Sequence, residues 1–150
     1  EEYIEGREFN IALLNGEPLP VSEISFAGLP EGLPKIVTYE GKWIAESDYY
    51  RHTVPQCPAD INPMLASQLQ VLAVKAYQAL NCRDYARVDI RVSEQGVPYV
   101  IEVNPNPDIT DNSGFSRAMR ANGSTIQEAY RKIVSFALQR GSFDSFARTG

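Results

Sequence analysis

One predicted β-hairpin carries polar side chains whose types and spacing could bind a divalent cation. Apolar and polar residues alternate over 86–92 and 99–104, and a polar turn with a glycine separates the two runs. Successive side chains of a strand point to opposite faces, so each run places its polar residues on one face. A turn centred between Gln95 and Gly96 sets two pairs of polar side chains opposite each other: Asp89 with Glu102, and Arg87 with Asn104.

The facing carboxylates of Asp89 and Glu102 point to a metal site. Like charges directly opposite each other destabilise a sheet, and a cation between them removes the repulsion. Carboxylate and amide oxygens suit Mg²⁺, which takes one or two carboxylates together with substrate phosphates and water. Arg87 could bind a phosphate oxygen or a developing negative charge beside them. The alternative is a solvated hairpin face with a surface network of these three charged side chains.

Length, charge and cysteine content narrow the class of protein. The 150 residues suffice for one domain with a sizeable core. The net charge of -5, without a basic run, argues against nucleic acid or an anionic membrane as a partner. No apolar stretch is long enough to span a bilayer, and Cys57 and Cys82 have neither metal-site nor disulfide-framework spacing. We therefore expect a reduced, cytoplasmic protein.

Turn and capping signals predict an α+β domain around the hairpin. Helices should begin at Pro63, capped by Asn62, and after a capping box over 124–127, with the second ending near Gly141. We expect a two-layer fold, a mainly antiparallel sheet packed by two main helices, over 1–141, with 142–150 as a frayed tail or linker. The predicted strands before the hairpin cover 1–4, 7–14, 21–26 and 36–39, and a long loop follows from 40 to 60.

The end of the hairpin carries a motif that resembles a known family. Glu-Val-Asn-Pro-Asn-Pro-Asp ends the second strand at 102–108, and Arg-Val-Asp lies at 87–89 on the strand before it. Together they resemble the C-terminal half of an ATP-grasp domain, as in D-alanine–D-alanine ligases and other carboxylate–amine ligases. The resemblance runs from Glu1 to about Leu138. It implies transfer of a phosphoryl group from ATP to a carboxylate, followed by attack of an amine on the acylphosphate.

The resemblance assigns roles to the hairpin residues. Asp89, Glu102 and Asn104 match the family's Mg²⁺ ligands, with Glu102 bridging two ions, and Mn²⁺ is also compatible. Arg87 matches the arginine that steadies the γ-phosphate and the tetrahedral intermediate. Four polar residues at fixed spacing on opposed strands are the most specific part of the match.

The first residues of the chain resemble the family's ATP pocket. Residues 5–8, Glu-Gly-Arg-Glu, match a Gly-Arg-Glu strand pair, which implies that Glu8 accepts the ribose hydroxyls. Glu1 would meet the adenine amino group, and the backbone at Tyr3 and Ile4 would meet the edge of the ring. From the residues alone, Glu8 could equally be a solvent-facing acid of a strand.

Other parts of the pocket come from more distant residues. Ile36 and Ile101 fall where the family encloses adenine, although both could be plain core residues. The run over 39–43 resembles the loop above the triphosphate, in which Lys42 would contact phosphate. The alternative for Lys42 is an exposed loop lysine, and Trp43 could be a lid residue or a core anchor.

Two positions depart from the ligase pattern in the acceptor pocket. Asp108 stands where D-alanine–D-alanine ligases have Gly, whose backbone N–H faces the reacting carboxylate. Ser113 matches the serine that holds the carboxylate of the second substrate, but Gly114-Phe115 follows it instead of a proline-containing run. From the residues alone, Ser113 could be the N-cap of a short helix through Met119.

The implied partners are small molecules, with a carboxylate and an amine from amino acids or peptides, and a homodimer is compatible with the family. The chain opens on Glu1 without Met, so we expect a piece of a longer ligase, inactive without the N-terminal domains of the family. Two alternatives stay open: an ATP-grasp ligase with a different acceptor, and a non-catalytic nucleotide-binding module.

Overall fold

The computed structural model describes residues 2–140, except for the side chains of Lys42 and Trp43. Glu1, Gly141 and the predicted tail over 142–150 lie outside the described residues. The strands are β1 (Gly6–Leu14), β2 (Glu17–Pro18), β3 (Ser22–Ser25), β4 (Val54–Gln56), β5 (Tyr85–Ser93) and β6 (Pro98–Asn104). The helices are α1 (Tyr39–Trp43), α2 (Asp48–His52), α3 (Pro63–Ala79), α4 (Gly114–Ala121) and α5 (Ile126–Gln139). Among them, none is both long and apolar enough to cross a membrane.

The strands form one antiparallel sheet in the order β4-β3-β1-β5-β6, with β2 paired to the end of β1. Alternation along β1 separates two cores. Phe9, Ile11 and Leu13 point to one face, where they pack with Leu69 and Ala73 of α3. Ala12 and Leu14 point to the other face, where α4 and α5 contribute buried Phe115, Ala118, Met119, Ile126 and Ala129. The predicted α+β class is confirmed, with helices on both faces of the sheet.

The hairpin of β5 and β6 has the predicted pairing where the polar residues lie. Asp89 is opposite Glu102, and Arg87 is opposite Asn104. The predicted turn centre was half a residue too late, because Ser93 and Val97 close the turn around Gln95. A register shift at Ile101 adds one residue to β6 and restores the predicted register beyond it. Two deviations that offset each other therefore leave the polar pairs in place.

The segments before and after β3 differ from the prediction. Residues 2–5 are not a strand, because the Ile4 carbonyl accepts a hydrogen bond from the side chain of Arg91 and not from a neighbouring strand. The predicted strand over 36–39 is wrong: Thr38 accepts a hydrogen bond from the Gly41 N–H and starts α1 at Tyr39. The predicted long loop over 40–60 contains α1, α2 and the edge strand β4.

Helix starts follow the predicted caps with one shift. Asn62 caps α3 and Ser113 caps α4, which continues past the predicted end at Met119 to Ala121. The capping box of α5 lies one residue later than predicted. The Thr125 side chain accepts from the Glu128 N–H, and the Glu128 carboxylate accepts from the Thr125 N–H at 2.6 Å.

Gly6 is the position where β1 can bear no side chain. Its φ is +145°, and a Cβ there would lie 2.0 Å from the carbonyl oxygen of Val92 on β5. We expect Gly6→Ala to lower the free energy of unfolding by about 2–4 kcal/mol, from backbone strain and overpacking together. Urea denaturation measures the change.

Gly96 provides the matched control for this prediction. Its φ is +79° in the β5–β6 turn, and no heavy atom lies within 4 Å of the added Cβ. Gly96→Ala should therefore cost only the strain of the left-handed conformation, about 1–2 kcal/mol. Equal losses in the two variants would contradict the predicted clash with β5.

Candidate active site

A cleft of about 680 Å³ opens on the face of the sheet that α3 leaves uncovered. Along β1 and β5, apolar residues alternate with polar ones. The apolar residues belong to the α3 core on one face, so the polar residues between them face the cleft on the other. On the opposite side, the cleft is bounded by α1, the α2–β4 segment and the start of α4. The polar residues that the sheet contributes to the lining are Glu8, Asn10, Arg87, Asp89, Arg91 and Glu102.

Asp89 is fixed in this cleft by two neighbouring side chains. Arg87, two residues earlier on β5, donates from Nε and Nη2 to the two carboxylate oxygens at 2.7 Å each. Asn10, opposite on β1, donates from Nδ2 to Oδ1 at 2.8 Å. The Asp89 side chain is buried, so these bonds compensate its negative charge. Burial lowers the pKa of Arg87, but the hydrogen bonds and charge of Asp89 outweigh burial and raise it overall.

Glu102 and Asn104 are less buried than Asp89 and form fewer hydrogen bonds. Glu102 is exposed, and none of the side chains that the structure describes forms a hydrogen bond or an ion pair with its carboxylate. Asn104 is half-buried, and its Oδ1 accepts the Asn106 N–H at 2.9 Å. In the described part of the chain, no group of three His, Cys, Asp or Glu side chains is arranged for a metal ion.

This set of donors fits a cation that also binds substrate phosphates. Asp89 and Glu102 supply two carboxylates on adjacent strands, and Asn104 supplies an amide oxygen at the next position on the same face of β6. Mg²⁺ typically takes one or two carboxylates and leaves its other positions to phosphates and water. Because Glu102 has no partner in the described residues, its charge is available to a cation.

Glu8 and Arg91 form a second charged pair at the other end of the cleft. Both side chains are buried, and Arg91 Nη1 donates to Glu8 Oε2 at 3.0 Å. Arg91 also donates to the carbonyls of Ile4 at 2.8 Å and Lys35 at 2.7 Å, and its guanidinium lies over the Tyr3 ring. Burial raises the pKa of the Glu8 carboxyl, and the charge of Arg91 opposes that rise without cancelling it.

The predicted nucleotide residues are only partly brought together. Glu8, Ile36 and Ile101 line the cleft, and the bulge turns Ile101 toward it beside Glu102. Tyr3 and Ile4 do not line the cleft, but both contact Arg91, which does. Glu1 and the side chain of Lys42 are outside the described part, although Gly41 next to Lys42 lines the cleft.

The predicted substrate residues Asp108 and Ser113 do not line the cleft. Asp108 is exposed and accepts hydrogen bonds from the N–H and the hydroxyl of Thr110, at 2.8 and 3.1 Å. Ser113 is buried, and its hydroxyl donates to Ser116 Oγ and accepts the Ser116 N–H. Beside them, Asn112, Gly114 and Arg117 do line the cleft.

Sequence reasoning missed Asn10, Arg91 and Arg117. Asn10 shares a strand face with Glu8, so extending the alternation of β1 to the hairpin would have found it. Arg91 shares the polar face of β5 with Arg87 and Asp89, but only the structure shows its contacts with residues 4–8 and 35. For Arg117 there is no local signal, because the packing of α4 decides where it points.

The raised pKa of Glu8 predicts a pH-dependent contribution to stability. A carboxyl whose pKa is higher in the folded than in the unfolded state binds more protons when folded. Stability is then lost as the pH rises through the folded-state pKa. Gln has no proton to lose in this pH range. We therefore expect the stability of Glu8→Gln, relative to that of wild type, to increase as the pH rises from 4 to 7.

Urea denaturation of the metal-free, nucleotide-free protein across this range measures the effect. Glu94→Gln, which removes an exposed carboxylate from the β5–β6 turn, controls for the general loss of a charge. A difference between Glu8→Gln and wild type that stays constant with pH would contradict the prediction.

Comparisons with known proteins agree on one family. Residues 1–135 match the model of the family described as D-ala D-ala ligase C-terminus. The D-alanine–D-alanine ligase of Haemophilus influenzae is 30% identical over 138 residues, which cover 92% of this chain and 43% of that protein. An uncharacterized protein of Sinorhizobium fredii, y4sG, is 34% identical over 140 residues, 93% of this chain and 40% of that protein.

A solved structure supports the same relationship. The D-alanine–D-alanine ligase of Bacillus anthracis, crystallised with ATP, superposes with a TM-score of 0.72 and 26% identity over 93% of this chain and 40% of that one. The chain thus spans about two fifths of the relatives it matches. Because the family model covers most of its length, the chain belongs to the D-alanine–D-alanine ligase C-terminal domain family, which has the ATP-grasp fold.

Proposed function

We propose that this chain is the metal- and nucleotide-binding half of an ATP-dependent ligase that joins a carboxylate to an amine. The observation that carries the proposal is the pairing of Asp89 with Glu102 across β5 and β6, with Arg87 on the same face of one cleft. Membership of the ligase family supports the reaction class. In the proposed reaction, a substrate carboxylate takes the γ-phosphoryl group of ATP, and an amine then displaces phosphate from the acylphosphate.

Asp89, Glu102 and Asn104 would hold Mg²⁺, for which two ions are expected, and Mn²⁺ would suit the same donors. Bound there, the ions would supply positive charge to the phosphate oxygens. Arg87 would add a fixed guanidinium for the γ-phosphate and later for the tetrahedral intermediate. Asn10 orients Asp89, because its amide holds one carboxylate oxygen from the neighbouring strand. Catalysis in such a site rests on positioning and electrostatic stabilisation.

The other end of the cleft would take the nucleoside. Glu8 would accept the ribose hydroxyls, and Ile36 and Ile101 would enclose the adenine. The edge of the ring would meet Glu1 and the backbone at Tyr3 and Ile4. Lys42, on α1, would contact phosphate from the side of the cleft opposite the sheet.

A ligase with an acceptor other than D-alanine is the second candidate. Asp108 adds a carboxylate where a backbone N–H would face the reacting group. Ser113 could hold a substrate carboxylate only by giving up its hydrogen bond to Ser116. Both differences lie in the acceptor region, and neither touches the pairing of Asp89 with Glu102.

Replacement of Glu102 by Gln tests the proposal in the full-length protein. The variant keeps the size of the side chain but loses the unpaired charge, so Mg²⁺-dependent release of ADP should fall at least 100-fold, about 2.7 kcal/mol in the barrier. Glu94→Gln, in the exposed turn of the same hairpin, should keep wild-type activity.

A binding measurement separates catalysis from binding. A non-hydrolysable ATP analogue with Mg²⁺ should raise the melting temperature of wild type, since a ligand of the folded state stabilises it by mass action. That shift should shrink in Glu102→Gln. Activity near wild type in the variant would sink the proposal. Binding without turnover of any amino acid in wild type would favour a nucleotide-binding module.

A further inference from the structure

Arg117 is a cation in the cleft that has no acidic partner among the described residues. It lies in the first turn of α4, is half-buried, and lines the same cleft as Arg87, Asp89 and Glu102. Its Nη1 donates a hydrogen bond to the carbonyl oxygen of Asn112, which is neutral. Across residues 2–140, no carboxylate lies within ion-pair distance of its guanidinium.

Four other arginines of the chain show the contrast. Each forms an ion pair with a carboxylate, and the pairs are Arg7 with Glu23, Arg87 with Asp89, Arg91 with Glu8, and Arg140 with Asp84. The pKa of Arg117 is lowered, first by burial and then by the charge of Arg120. A partly desolvated cation next to a second cation gains from an anion that binds to it.

The surroundings of Arg117 leave its free edge open to a ligand. Gly114 has no side chain, and a Cβ built there would find Nη2 of Arg117 at 3.8 Å as its neighbour. The Ser113 hydroxyl is hydrogen-bonded to Ser116, and the Asp108 carboxylate is hydrogen-bonded to Thr110. Neither side chain therefore occupies the space beside the Arg117 guanidinium. The guanidinium is therefore the charged group that α4 presents to a substrate in the cleft.

We propose that Arg117 determines specificity by binding a carboxylate of the amine-bearing substrate. The inference rests on the proposed function, because the carboxylate that reacts must lie at the phosphoryl group beside Arg87. A further carboxylate at α4 therefore belongs to the other substrate. It can be the α-carboxylate of an amino acid or peptide, or an acidic side chain, since both offer two oxygens to the fork of a guanidinium.

Binding measurements with matched probes test the inference and separate the two sources. The full-length protein, saturated with Mg²⁺ and a non-hydrolysable ATP analogue, is titrated with D and L forms of alanine and alaninamide, then of aspartate and asparagine. The wild type should bind one acid at least tenfold more tightly than its amide. A preference in the alanine pair assigns the α-carboxylate, and a preference confined to aspartate assigns the side chain.

Variants tie the preference to Arg117. Arg117→Met should bind the acid and the amide within twofold of each other, with an unchanged affinity for the ATP analogue, and Arg117→Lys should recover part of the preference. Arg120→Met is the matched control: Arg120 lies one turn later on α4, is exposed, and donates to the carbonyl oxygen of Asp111. That variant should keep the wild-type preference.

Three results would overturn the inference while the proposed function stands. The first is equal binding of acid and amide by wild type. The second is a preference for the acid that survives in Arg117→Met. The third is an Arg117→Met variant that keeps this preference but loses affinity for the ATP analogue. The first comparison needs no variant, so it decides even if Arg117→Met fails to fold. Failure of wild type to bind the ATP analogue at all would overturn the proposed function and this inference together.

Discussion

The structure depends on balancing negative charge on a buried face of its sheet. Glu8 on β1 and Asp89 on β5 point to the same face, and both side chains are removed from water. A buried carboxylate is tolerated only with a paired charge and hydrogen bonds. β5 supplies both partners, Arg87 for Asp89 and Arg91 for Glu8, at alternate positions of one strand. These four charged side chains, two acidic and two basic, thus form a polar floor of the cleft.

This floor is set between two apolar cores that hold it in place. The α3 core fixes β1 and β5 from behind through Phe9 and Ile90, while the α4–α5 core fixes the far end of the same strands. The ion pairs of the floor join side chains of these two strands, and the carbonyls of Ile4 and Lys35 hold Arg91 from the neighbouring loops. The remaining charged groups of the cleft, Glu102 and Arg117, stand outside this balance, because neither forms an ion pair within the part of the chain that the structure describes.

Local sequence patterns predicted much of this arrangement. Alternation fixed the two hairpin strands, and the Asn62-Pro63 cap fixed the start of α3, because these signals depend on neighbours within a few residues. The pairing of Asp89 with Glu102 was also predicted, although an early turn and a bulge had to offset each other. Family resemblance added the roles of these residues, which no pattern of spacing supplies.

The remainder depends on contacts between distant parts of the chain. Residues 36–39 look like a strand, but Thr38 satisfies the backbone of Gly41 and begins a helix instead. The contacts of Arg91 join residues that are more than 50 positions apart, so nothing near it in the sequence indicates its role. Arg117 reaches the cleft only because α4 packs on β1, which is a property of the tertiary structure.

The bulge at Ile101 changes which positions of β6 face the cleft. On the turn side Tyr99 stands opposite Arg91, whereas beyond the bulge Glu102 stands opposite Asp89. On β6, the odd-numbered residues on the turn side of the bulge point to the polar face, and the even-numbered residues beyond the bulge point to it. One strand can therefore present an aromatic, an aliphatic and an acidic side chain to the same side. When the β5–β6 turn of a relative differs in length, its β6 sequence should accordingly be aligned from the Asn104 end. At that end, the candidate metal ligands fix which positions face the cleft.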